Sequence, residues 1–92
     1  MDMKAFHNEV ESMLGRLNSY IDLPNDSKAK TLQNSFQKLE DEVQMGKGGS
    51  TIRDRLREIE MQLKPAFNAG VISYDHFDNL EDWVREYQKK IR

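Results

Sequence analysis

The chain lacks cysteine altogether, carries only two prolines and has no long apolar run in its 92 residues. Without cysteine, disulfides, thiolate metal sites and cysteine nucleophiles are excluded. The lack also fits a reducing compartment. No stretch approaches the roughly 18 apolar residues that a membrane span requires. The opening Met-Asp-Met-Lys-Ala-Phe-His has neither a basic region nor a long apolar one, so no secretory signal is expected. A soluble, cytoplasmic protein that does not enter a membrane is the expectation.

Charge of one sign is lacking too. Fourteen basic residues face 16 acidic ones, for a net charge of −2. A protein held to nucleic acid mainly by bulk charge would be clearly basic. A nucleic-acid mimic would be clearly acidic. Glycine is sparse, at five residues, yet Gly46, Gly48 and Gly49 fall within four positions. Each glycine costs about 1 kcal/mol against alanine inside a helix. The segment 46–50 therefore reads as a turn between two helical hairpins, 1–45 and 51–92, within one helical domain spanning 1–92.

What is present is a helical period. Met3, Phe6, Val10, Met13, Leu17 and Tyr20 recur at steps of three and four, which defines one face of a helix over 3–22. Leu14 and Ile21 widen it. Pro24 ends this helix, and Asn25, Asp26 and Ser27 offer oxygens to cap the next. A second helix over 28–45 carries Ala29, Leu32, Phe36, Leu39 and Val43. A third over 52–64 carries Ile52, Leu56, Ile59 and Leu63, with Thr51 as its cap. Pro65 either stops it or kinks it on to Asn68, with Phe67 plugging the end of the core. Gly70 suits a left-handed helix stop. A fourth helix over 74–91, capped by Ser73, carries Phe77, Leu80, Val84, Tyr87 and Ile91. Segments of similar length with short connections predict an all-α, up-down-up-down antiparallel four-helix bundle. A three-helix or dimeric helical-hairpin arrangement is the alternative.

The second helix has its charges against its dipole: Lys28 and Lys30 at the positive end, Glu40, Asp41 and Glu42 at the negative end. Arg53, Arg55 and Arg57, just across the glycine turn, are the expected partners of that acidic end.

Few residues point to chemistry. A glycine-rich turn with a lysine, opening into a helix, is a physical recipe for holding phosphate. Lys47, Ser50, Thr51, Arg53 and Arg57 are its candidate anion-binding residues, although the spacing is not that of a Walker A loop. Residues 70–77 share a central glycine with a calcium loop. That alignment puts Pro65, Phe67 and Ala69 at the first ligand positions, so calcium is rejected. His7 and His76 lie on different helices and neither has a histidine at i+4. Asp75, Asp78, Glu81 and Asp82 read as a solvated face. No metal, cofactor or catalytic residue is expected, and the protein is not expected to be an enzyme. Trp83 sits beside the main stripe of the fourth helix, and Tyr74 and Met61 are also off the seams. Tryptophan is enriched at binding hot spots, so these three are the candidate partner-binding residues. The expectation is a non-catalytic protein–protein interaction module, an adaptor, chaperone-like binder or inhibitor, with homodimerisation open. The alternative is a nucleic-acid or phospholigand binder using the glycine turn.

Overall fold

The structure, a computed structural model, describes residues 2–91. Among them the chain forms four helices: α1 (Met3–Tyr20), α2 (Ser27–Gln44), α3 (Gly49–Asn68) and α4 (Tyr74–Lys90). They pack as an antiparallel four-helix bundle measuring 34 × 20 × 18 Å. An 18-residue helix is about 27 Å long, so each helix runs most of the long axis. α2 packs closely on α1 and α3, and α3 on α4. α1 and α4 meet chiefly through long aromatic side chains, Phe6 against Trp83 and Tyr87, and Tyr20 against His76.

The stripes read from the period supply the core. Phe6, Val10, Met13 and Leu17 of α1 are buried, as are Ala29, Leu32, Phe36, Leu39 and Val43 of α2. α3 contributes Ile52, Leu56, Ile59, Leu63 and Ala66, and α4 contributes Phe77, Leu80 and Val84. Met3 departs from the expectation: it lies at the first helical position, beyond the reach of its neighbours, and is exposed.

The helix ends explain the connections. Asp2 and Asp26 each accept from the backbone N–H two residues on, and Ser73 accepts from His76 N. Each satisfies one of the donors that a helix start leaves open. α1 stops at Tyr20, two residues short of the expected end, because Ile21 and Asp22 are drawn into pairing with the other connection. Ile21 and Ile72 form an isolated antiparallel bridge, and Asp22 N donates to Val71 O at 2.8 Å. The α1–α2 and α3–α4 connections are thereby tied at one end of the bundle.

α3 corrects one boundary and decides between the two alternatives left open at the other. It begins at Gly49 and is capped by Gly48, so Thr51 lies inside the first turn and does not cap it. A glycine in the first turn costs little, since the N–H groups there have no intrahelical partner to lose. At the other end α3 runs through Pro65 to Asn68. The carbonyl that the proline leaves without its helical partner belongs to Met61, and both residues lie on the exposed side of the helix. Gly70, at φ +77°, then closes the helix in left-handed geometry, and Val71 N reaches back to Ala66 O at 2.9 Å.

Candidate interaction surface

Of the three arginines expected to meet the acidic end of α2, only Arg55 does so. Its Nε and Nη2 donate to the two oxygens of Glu42 at 2.8 and 3.3 Å, and its Nη1 donates to Glu58 at 2.6 Å. Residues two apart on a helix point to different sides, so Arg53 and Arg57 turn away. Arg53 donates to Ile91 O at 3.1 Å, and Arg57 pairs with Asp54 at 3.6 Å. The hydrogen bond donated to Glu42 is the main reason that the Arg55 guanidinium holds its proton more tightly than usual. A second polar seam joins α3 to α4, where Arg85 Nε and Gln88 Nε2 donate to Glu60 at 2.7 and 2.8 Å. Those bonds, Arg85 first, lower the Glu60 pKa.

The candidate anion-binding residues lie in the first half of α3 and just before it. Ser50 and Thr51 lie in the first turn of α3, and Lys47 lies in the connection before it. Gly48 offers no side-chain cap, so the first N–H groups of α3 have no oxygen from that residue. Arg53 and Arg57 are engaged by Ile91 O and Asp54.

The three candidate partner-binding residues also separate. Trp83 packs inward, 6.2 Å from Phe6, 6.0 Å from Phe36 and 5.0 Å from Tyr87 between ring centroids. Its Nε1 is buried and has no hydrogen-bond partner among the described residues. Tyr74 lies nine residues earlier, two and a half turns away, and so projects from the opposite side of α4. It is 61% exposed and packs beside Phe67 and Phe77 at 5.8 and 6.2 Å. Met61 is 73% exposed and borders an open groove between α2 and α3 with Lys28, Thr31 and Pro65.

Tyr74 and Met61 nevertheless share the half of the bundle that holds the paired connections. Leu23, 45% exposed, is there as well; its Cδ1 lies 3.9 Å from where a Cβ on Gly70 would be. Phe67 is half-buried beside Tyr74, stacked on Phe77 at 5.2 Å. The Lys64 ammonium lies 5.6 and 5.5 Å from the centres of these two rings. Leu23 was not singled out in the sequence, and Phe67 was read there only as a plug for the end of the core. Both belong to apolar positions next to a proline or a helix end, where the period that marks a face breaks down.

One group of polar residues crosses between helices that the sequence keeps apart. His7 and Glu11, one turn apart on α1, meet Glu40 of α2. The i,i+4 pair was visible in the sequence; its third member, 29 positions further along, was not.

The fold defines a small all-α four-helix bundle, and no helix among the described residues is long and apolar enough to cross a membrane. Comparison with known protein families, curated proteins and solved structures finds no match for the chain.

Proposed function

We propose that the protein is a non-catalytic protein-binding module that presents the connection end of its bundle to another protein. The observation that supports this is the exposed Tyr74 packed 5.8 Å from the half-buried Phe67, with two further exposed large apolar residues, Leu23 and Met61, in the same half of the bundle. Such groups mark interaction sites more often than singly scattered apolar residues do. Tyrosine suits the role, since it brings a large rigid ring with a polar tip. Lys64 supplies a charged rim. Trp83 serves as scaffold in this reading: it wedges α4 against α1 and α2 and contacts the partner only indirectly.

The phospholigand alternative has less support. Two of its five candidate side chains, Arg53 and Arg57, are committed to other contacts.

Affinity capture from the source cell, with and without nuclease, tests the proposal. Wild type is compared with Tyr74→Ala combined with Met61→Ala, and with Lys47→Ala combined with Arg53→Ala. A protein that survives nuclease and is lost only with the first pair is the expected result. Capture that nuclease abolishes, or that fails only with the second pair, would overturn it in favour of the glycine turn.

A further inference from the structure

Three acidic side chains crowd the negative end of α2, an arrangement unfavourable to the helix dipole. Two have evident partners. Glu42 receives the guanidinium of Arg55, and Asp41 accepts from Gln37 Nε2 at 3.2 Å. Glu40 turns instead to α1. There one donor atom each from His7, Glu11 and Glu40 lie within 4.8 Å of one another. His7 Nε2 stands 3.3 Å from Glu11 Oε1. That nitrogen is buried and, despite the short contact, makes no hydrogen bond among the described residues. A buried ring nitrogen without a hydrogen bond, on a histidine gathered with two carboxylates from neighbouring helices, has the placement of a metal ligand.

We propose that His7, Glu11 and Glu40 bind a divalent first-row transition ion, zinc being the species that fits best. The charge balances, since two carboxylates and a neutral imidazole offset a dication. Without a cation the carboxylates repel each other beside the helix's own negative end. The donor set selects the class: imidazole favours zinc and its neighbours, whereas magnesium and calcium prefer oxygen alone. The spacing fits as well. Ligand atoms about 2.1 Å from a tetrahedral ion lie roughly 3.4 Å apart, close to the His7–Glu11 separation. Glu40 closes the set by a side-chain rotation. Glu11 is exposed, so the fourth position faces water. His7 and Glu11 share one face of α1 because they are four residues apart, and Glu40 brings in the neighbouring helix. The ion would therefore clamp α1 to α2. α1 has most to gain, because its other flank meets α4 mainly through aromatic tips. The site is independent of the protein-binding surface, which lies at the other end of the bundle.

The test is calorimetric titration of the metal-free protein with zinc, followed by thermal unfolding with and without the ion. The expected result is one ion per chain, a raised melting temperature, and no displacement by excess magnesium. Loss of even an outer-shell contact costs about 10–100-fold in metal affinity. Glu40→Gln and His7→Asn should each cost at least that much, while His76→Asn leaves binding unchanged. Nitrogen chemical shifts should move at His7 Nε2 and not at His76. Absence of saturable binding below about 1 mM zinc, or equal binding by Glu40→Gln and wild type, would overturn the proposal. So would a shift confined to His76.

Discussion

Glu60 shows how a single side chain joins two helices. Its carboxylate accepts from Arg85 and Gln88 across the α3–α4 seam, and the two bonds, Arg85 first, hold its pKa below the ordinary glutamate value. A depressed pKa means that the folded state favours the ionised form. The resulting stability is complete above the ordinary glutamate range and is lost as pH falls through it toward the lower folded value. Arg85→Met should return the Glu60 pKa toward that of a free glutamate, as read by carboxyl chemical shifts across an acid titration. Most of the acid sensitivity contributed by this seam should vanish with it. Trp83 makes a different residue-scale case. Its ring fills space among Phe6, Phe36 and Tyr87, while its buried N–H lacks a partner. Trp83→Ala should cost about 2–4 kcal/mol through the space it leaves. Trp83→Phe should stay within about 1 kcal/mol, because the lost area is offset by removing an unsatisfied donor. Urea unfolding of both variants separates volume from hydrogen bonding. In the sequence Trp83 stood beside the stripe of α4 and read as a candidate partner-binding residue. It is half-buried because α1 and α4 are spaced widely enough to need a large ring between them, and that spacing is set by the other two helices.

At the scale of the element, the period was legible and the ends were not. The faces of α2 and α3 could be read residue by residue from the spacing of Ala29 to Val43 and of Ile52 to Leu63. The ends depend on local bonds that compete on nearly equal terms. Thr51 and Gly48 were both available to start α3, and the earlier start adds helical residues at little cost. Pro65 was compatible with a stop or with continuation. Continuation prevails because it carries Ala66 into the core and Phe67 against Phe77. The connections supply a paired prediction. Gly70 has φ +77°, a conformation that costs an alanine about 1–2 kcal/mol. Gly48 has φ −67° and nothing within 4 Å of an added Cβ. Gly70→Ala should therefore destabilise by about 1–2 kcal/mol, while Gly48→Ser should stabilise by a few tenths of a kcal/mol as a new cap. Denaturation midpoints of the two variants should move in opposite directions.

At the scale of the molecule, four amphipathic helices have one dominant way to bury their stripes when the connections are short. The bundle was accordingly legible from the sequence. The surface was not, because it arises where distant segments meet. Leu23 belongs to the first connection, Met61 and Phe67 to α3, and Tyr74 to α4; the pairing of Ile21 and Asp22 with Val71 and Ile72 brings the two connections together. The His7–Glu11–Glu40 group is a product of the same kind, made by the alignment of α1 on α2. The most direct measurement of the central claim is site-specific photo-crosslinking in the source cell. A photoreactive residue is placed at Tyr74 and, separately, at Ser12 on the outer face of α1. The account predicts a discrete protein adduct from position 74 and none from position 12. Equal labelling from both positions, or adducts from position 12 alone, would contradict it.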